Sequence, residues 1–280
     1  MPTADGLYYE EAGEGEPLLM VQGLGTDHLG WILQVPELSK HYRVITFDNR
    51  DVGQSKQADG PYEIVDMARD GLALADHLEL DDFHLVGMSM GGAIAQEMAL
   101  QAQERLHTLT LVVTFAGGGN WATERSRLWS EIRGLIDRET HLDWLLLFGM
   151  SEQFYEDPER IAYAKQLMRA NPHPQSTEAF QRQVEASGRH ETRDRLSQIS
   201  VPTHVIGAEH DTLVPVWKSQ EIADLIPGAD YSVMPGAPHA LNMERAQEFN
   251  ELVLGWLRSA GAGVPVDGAG EQHVAAEGPA

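Results

Sequence analysis

The sequence predicts an α/β protein with a mostly parallel central sheet that is flanked by helices and carries an inserted helical cap. Short apolar runs alternate with segments whose apolar residues recur at helical spacing, through most of the 280 residues. Regular alternation of this kind is typical of a parallel sheet covered by helices on both faces. The alternation stops after Asn120 and resumes at Thr203, which indicates an insertion.

The chain before the insertion supplies five predicted strands and three predicted helices. The strands are short apolar runs near turn residues, at 7–10, 18–22, 43–48, 83–86 and 108–114. The helices have apolar residues three and four positions apart, at about 31–38, 62–80 and 92–100. Ligands of such sheets bind at the carboxyl ends of the strands, so a site is expected in the loops that follow them.

The insertion, residues 120–195, is aromatic and charged, with helical spacing, proline breaks and no convincing strand. After it, strands at 203–208 and 230–234 alternate with helices at 216–225 and 243–257.

These elements divide the chain into three predicted parts. Residues 1–119 and 196–258 form the α/β core, and residues 120–195 form the helical cap. Residues 259–280 are rich in Gly, Ala and Pro and lack an apolar period, so we expect a disordered tail.

The composition excludes several classes of function. The net charge of −23 argues against nucleic acid and anionic membrane surfaces as partners, and it disfavours anionic substrates unless a local arginine overrides it. The absence of cysteine excludes disulfides, thiolate catalysis and cysteine-bound metals. The first residues lack the basic and apolar regions of a signal peptide, and no apolar run is long enough to span a membrane. We therefore expect a soluble, cytoplasmic protein.

The segment Gly87-Met88-Ser89-Met90-Gly91 joins a predicted strand to a predicted helix. A serine between glycines in this context is typical of a nucleophile elbow. The turn is tight enough that a side chain at position 87 or 91 would collide with neighbouring backbone. The turn holds Ser89 at the positive end of the following helix, where an oxyanion is favoured. We predict Ser89 as a nucleophile.

A serine hydroxyl needs a base, and His239 is the candidate with the right position among twelve histidines. It follows the last predicted strand, in the chain order Ser, Asp or Glu, His. The carboxylate that orients the histidine is expected after a late strand, where Glu209 and Asp211 both lie. We favour Asp211, because its position in the loop matches that chain order.

Acyl transfer also needs two backbone N–H donors for the oxyanion. One is expected at Met90, directly after the nucleophile. The other is expected at Leu24, because the flanking Gly23 and Gly25 allow that backbone to approach a substrate closely.

Together these residues resemble the α/β-hydrolase superfamily over about residues 7–257. The motifs that carry the resemblance are Gly23-Leu-Gly25, Phe47-Asp-Asn-Arg-Asp-Val-Gly-Gln-Ser55, Gly87-Met-Ser-Met-Gly-Gly92, Ala208-Glu-His-Asp211 and Gly236-Ala-Pro-His239. The chain is most similar to small esterases and lactonases, including 3-oxoadipate enol-lactonases and aclacinomycin-type methylesterases. Two positions depart from the pattern: Gln22 stands where many members have His, and Asp51 where many have Gly.

We expect two-step acyl transfer on a small apolar ester or lactone, without a metal or cofactor. His239 takes the Ser89 proton, the N–H groups of Leu24 and Met90 hold the oxyanion, and water releases the acyl group. The expected substrate pocket lies beside Gly23 and is lined by apolar cap residues, with Trp121, Trp144 and Phe148 as the main candidates and Trp129, Leu145, Leu146, Met150 and Phe154 as further ones.

Three other functions stay open at this point. Carbon–carbon bond hydrolases of ring-cleavage products share the triad, but their substrates are typically dianionic, which the acidic composition disfavours. A cofactor-free peroxidase or perhydrolase activity could accompany the same triad. A non-catalytic ligand-binding protein is the third alternative, since fold does not dictate function.

Overall fold

An eight-stranded sheet forms the centre of the molecule in a computed structural model that describes residues 3–261. The strand order is β1-β2-β4-β3-β5-β6-β7-β8. Strands β1 and β2 are antiparallel to their neighbours, and β3 to β8 run parallel. The strands are β1 (Thr3–Ala4), β2 (Leu7–Ala12), β3 (Pro17–Val21), β4 (Arg43–Phe47), β5 (Phe83–Met88), β6 (Leu106–Val112), β7 (Thr203–Ala208) and β8 (Asp230–Met234). The mostly parallel sheet that the sequence predicts is confirmed.

Helices cover both faces of this sheet, because successive strand residues point to opposite sides. In β3, Leu19 packs in the core cluster that includes α2, α3 and α8, whereas Met20 packs in the cluster with α1 and α10. The α-helices are α1 (Val35–Leu38), α2 (Ile64–His77), α3 (Met90–Ala102), α4 (Gly119–Leu135), α5 (Arg138–Gly149), α6 (Pro158–Ala170), α7 (Thr177–Arg189), α8 (Val216–Leu225), α9 (Leu241–Glu244) and α10 (Ala246–Gly261).

Four helices, α4 to α7, lie between β6 and β7, and we call them the cap. Helices α4 and α7 pack closely: Gly188 lies so near Ser126 that a Cβ atom at position 188 would be only 2.5 Å from the Ser126 Cβ. The assignment of residues 120–195 to a separate unit stays a prediction.

Some predicted elements differ from the observed ones. The helix predicted over 31–38 is instead a 3-10 turn at His28–Trp31 followed by α1, because the Asp27 side chain caps the turn at the Leu29 N–H and a separate helix begins at Val35, with Pro36 in its first turn. The helix predicted over 243–257 is α9 and α10, which meet at Arg245.

The predicted tail lies mostly beyond the described residues. Helix α10 continues to Gly261, three residues into the segment 259–280, and the remainder of that segment lies outside the described part of the chain. Among residues 3–261, every helix is too short or too polar to cross a bilayer.

His204, buried in β7, is expected to make the fold sensitive to acid. Its ring contacts the Trp256 ring at 5.1 Å, and burial lowers its pKa to about 4. Because this folded pKa lies below the ordinary value near 6.5, the unfolded chain binds the proton first as the pH falls. Stability is therefore present above about pH 6.5 and is lost as the pH falls towards 4.

Replacing His204 by glutamine is expected to remove part of this acid sensitivity. The free energy of unfolding, measured with urea, should decrease in both proteins between roughly pH 7.5 and pH 5. The decrease in His204→Gln should be smaller than that in the unmodified protein by about 2 kcal/mol. The exposed His173→Gln serves as the control and should leave the pH dependence unchanged. Equal losses in all three proteins would contradict the assignment.

Candidate active site

Ser89 lies at a sharp turn between β5 and α3 and is the N-cap residue of α3. Its φ of 56° is a conformation that residues other than glycine rarely adopt. The crowding expected from the sequence is present: a Cβ atom at Gly87 would collide with the Gly91 carbonyl, and one at Gly91 with the Val21 carbonyl. The Ser89 N–H donates to the Val112 carbonyl at 2.8 Å, which fixes the strained turn on the neighbouring strand.

Three residues from distant parts of the chain form a continuous hydrogen-bonded line. The Oγ of Ser89 lies 3.0 Å from Nε2 of His239, and Nδ1 of His239 lies 2.7 Å from Oδ2 of Asp211. His239 follows β8 and Asp211 follows β7, so parallel strands bring their loops to the same edge as Ser89. This is the relative geometry of a nucleophile, a base and an orienting carboxylate.

The structure distinguishes between Asp211 and Glu209, the two carboxylates that the sequence analysis considers as the partner of His239. The Asp211 side chain is fully buried, and its Oδ1 accepts hydrogen bonds from the N–H groups of Leu213 and Val214, both at 2.8 Å. Glu209 is exposed and accepts a hydrogen bond from the Gly236 N–H at 2.7 Å. Of the two, Asp211 is the residue that contacts His239.

The loop after β3 approaches Ser89 closely at Gly23. A Cβ atom at position 23 would lie 3.1 Å from the Ser89 Cβ. Among the described residues, no acceptor bonds to the N–H of Leu24 or of Met90. Both donors are thus available to a ligand beside Ser89. Gln22, in the place of the more common histidine, accepts the Gly23 N–H on its Oε1 at 3.0 Å.

Helix α7 holds this loop from the cap side. The buried Gln183 accepts the Gly25 N–H on its Oε1 at 3.0 Å, and its Nε2 donates to the Arg50 carbonyl at 3.0 Å. Beside it, Arg182 forms two hydrogen bonds, of 2.8 and 2.7 Å, to the buried carboxylate of Asp51. Neither link is predicted from the sequence; the one signal is the unusual Asp51, because a buried carboxylate needs a partner.

The predicted pocket residues occupy different places in the cap. Trp144 lies between two other aromatic rings, with ring centres 4.7 Å from Trp129 and 5.7 Å from Phe148. Trp121 is exposed and lies at the beginning of α4. Leu146 and Phe154 are buried, whereas Leu145 and Met150 are half-buried.

His141 adds a polar group to this aromatic region. Its ring packs on Phe180 at 4.6 Å and on Trp144 at 5.8 Å, and burial lowers its pKa to about 4. It is therefore neutral near pH 7. Within residues 3–261, no group of three or more His, Asp and Glu side chains is arranged to hold a metal ion.

Comparison with known proteins places the chain in a family. The profile of the alpha/beta hydrolase fold family matches residues 16–246, and the chain belongs to this family. It is a hydrolase by this membership.

A relative from Azorhizobium caulinodans, with the provisional name carbamate hydrolase RutD, is 30% identical over 260 residues, which is 91% of this chain and 98% of that protein. The crystal structure of the enol-lactonase from Burkholderia xenovorans LB400 matches with a TM-score of 0.81 and 28% identity, over 91% of this chain and 98% of that one. A Mycobacterium tuberculosis H37Rv structure with the provisional name non-heme bromoperoxidase BpoC matches with a TM-score of 0.84 and 27% identity, over 92% of this chain and 97% of that one.

Proposed function

We propose that this protein is a serine hydrolase that cleaves carboxylic esters or lactones through an acyl-enzyme on Ser89. The observation that carries the proposal is the hydrogen-bonded line of Ser89, His239 and Asp211, at 3.0 and 2.7 Å. The similarity to an enol-lactonase over 91% of this chain supports the same substrate class.

In the first step, His239 removes the proton of Ser89 as Oγ attacks the carbonyl carbon. The N–H groups of Leu24 and Met90, together with the start of α3, stabilise the negative charge that develops on the carbonyl oxygen. The imidazolium that forms is stabilised by Asp211, and it then protonates the leaving alcohol. The alcohol departs and an ester of Ser89 remains.

In the second step, water takes the place of the alcohol. His239 removes a proton from the water, whose oxygen attacks the acyl-enzyme carbonyl, and the same two N–H groups hold the second oxyanion. Collapse releases the acid and returns the proton to Ser89. With a lactone, the alcohol and the acid belong to one product.

The proposed location is the cytoplasm. The strongly acidic composition supports a role on small molecules rather than on nucleic acid or an anionic membrane surface. The proposed substrate is a small, largely apolar ester or lactone, and the proposed reaction requires no cofactor.

Hydrolysis of p-nitrophenyl esters of increasing acyl length, with a lactone and a p-nitrophenyl carbamate alongside, tests the proposal. We expect turnover of esters or lactones, with a chain-length optimum that reports the size of the pocket. The carbamate tests the activity for which the Azorhizobium relative is named. A folded protein that is inactive on every ester and lactone would contradict the proposed function.

Gln183 is expected to position the loop after β3, which carries Leu24. Gln183→Met removes the acceptor of the Gly25 N–H at similar volume, so the loop that carries Leu24 loses a buried hydrogen bond. We expect kcat on the best ester to fall by about tenfold, with a smaller change in KM, because a lost hydrogen bond to the loop affects the transition state most. Gln181→Met on the same helix, which loses a bond to the Ser130 carbonyl, is the matched control and should keep kcat. A lower Tm with unchanged kcat would show a merely structural role.

A further inference from the structure

Arg125, in α4 of the cap, is half-buried and lacks an ion pair within the described residues. Most other arginines of this acidic chain pair with carboxylates, and Arg182 does so with two hydrogen bonds to Asp51. A charge removed from water is normally paired. Among residues 3–261, the Leu213 carbonyl is the one acceptor that Arg125 contacts, at 2.8 Å from Nη1.

This contact attaches the guanidinium to the loop that carries the orienting carboxylate. Leu213 accepts from Arg125 on its carbonyl, while its N–H donates to Oδ1 of Asp211 at 2.8 Å. Arg125 is therefore joined through one residue to Asp211, the carboxylate that contacts His239. Arg133, which also lacks an ion pair within the described chain, lies two turns further along α4.

Two aromatic rings lie against the guanidinium, and further rings continue from them across the cap. Its Cζ lies 4.5 Å from the ring centre of Trp121 and 5.5 Å from that of Trp129. We call Trp121, Trp129, Trp144 and Phe148 the aromatic row. The other end of the row contacts the loop that carries Asp211 and Leu213: the Phe148 carbonyl accepts a hydrogen bond from Thr212 Oγ1 at 3.3 Å.

We propose that Arg125 and the aromatic row form a subsite for a carboxylate group of the substrate, which rests on the proposed function. The row receives an apolar stem, and the unused N–H groups of the planar guanidinium bind the carboxylate in a two-pronged contact. The preferred substrate is thus an ester or lactone with one free carboxylate separated from the reacting carbonyl by an apolar segment. At this subsite, the positive charge of Arg125 offsets the negative electrostatic potential that the acidic chain creates.

The test compares two methyl esters of equal acyl length, monomethyl adipate, which carries a carboxylate, and methyl hexanoate, which does not. For the unmodified protein, kcat/KM is expected to be higher for monomethyl adipate. In Arg125→Gln, the ratio of the two kcat/KM values should fall by about tenfold to a hundredfold, mainly through the KM of the adipate, because charge-assisted hydrogen bonds are lost. Arg125→Lys keeps the charge without the two-pronged geometry and should show a smaller fall.

Arg127→Gln is the matched control, because Arg127 is an exposed arginine of the same helix that pairs with Glu124 and Glu131. It should leave the ratio unchanged. An equal loss on both esters in Arg125→Gln and Arg125→Lys, or no preference for the adipate in the unmodified protein, would overturn the subsite.

Binding to the inactive Ser89→Ala protein separates this inference from the proposed function. Calorimetry with monomethyl adipate should give a Kd that rises by at least about tenfold when Arg125→Gln is added to Ser89→Ala. If the unmodified protein hydrolyses no ester but this difference is present, the proposed function fails and the subsite stands. If Kd is independent of Arg125, or no binding occurs, the subsite is wrong whatever the esterase activity.

Discussion

Replacing Ser89 by alanine is expected to reduce kcat for every ester and lactone by at least about ten-thousandfold. The variant lacks the oxygen that becomes acylated, so His239 has no alcohol to deprotonate, and only the oxyanion donors and substrate binding remain. The measurement is steady-state hydrolysis of the best p-nitrophenyl ester, with the protein pure enough to exclude contaminating esterases.

Stability should change little in Ser89→Ala, because alanine and serine experience similar strain at a φ of 56°. An unchanged Tm then shows that lost activity reflects lost chemistry. Ser200→Ala, at an exposed serine that contacts Gln103, is the matched control and should retain full activity. Activity of Ser89→Ala within about tenfold of the unmodified protein would contradict the nucleophile assignment.

Replacing Asp211 by asparagine is expected to reduce kcat by about ten-thousandfold. Asparagine keeps an oxygen for the N–H groups of Leu213 and Val214, so the loop stays in place. Its amide nitrogen, however, donates towards Nδ1 of His239, which selects the wrong imidazole tautomer and leaves the imidazolium without a counter-charge. The decisive readout is kcat at the pH optimum, with KM close to that of the unmodified protein.

Glu209→Gln is the control for this prediction. Glu209 uses its carboxylate to accept the Gly236 N–H at 2.7 Å, and glutamine preserves that contact. We expect its kcat to stay within about threefold of the original value, because surface substitutions that keep their contacts cost little. A large loss in Glu209→Gln together with a small one in Asp211→Asn would reverse the choice of carboxylate.

The sequence predicts the parallel sheet and the turn at Ser89 because both depend on local patterns. Apolar runs and helical spacing mark β3 to β8, and the glycines at 87 and 91 mark a turn where the structure leaves no space for a Cβ atom. The convergence of Ser89, Asp211 and His239 follows from the same topology, since the loops after parallel strands meet at one edge, whereas the choice of residues rests on the motif order of such hydrolases.

The sequence does not predict contacts between the cap and the core, because they join side chains that are distant along the chain. Gln183 and Gly25 are 158 positions apart, and Arg125 and Leu213 are 88 apart. No periodicity or motif in the sequence marks either contact, because each depends on how the cap helices pack against the core. The helix expected at 31–38 is present only at 35–38, for a local reason: Asp27 caps a 3-10 turn at 28–31, and a separate helix begins at Val35 with Pro36 in its first turn.

The most direct test of the central claim is the site of covalent modification by an ester-like phosphonate. The protein is incubated with a p-nitrophenyl alkylphosphonate, digested and analysed by peptide mass spectrometry. We predict one adduct per chain, on Ser89, formed at the rate at which esterase activity is lost and absent from Ser89→Ala. An adduct on another residue, or full esterase activity after Ser89 has been modified, would contradict the account.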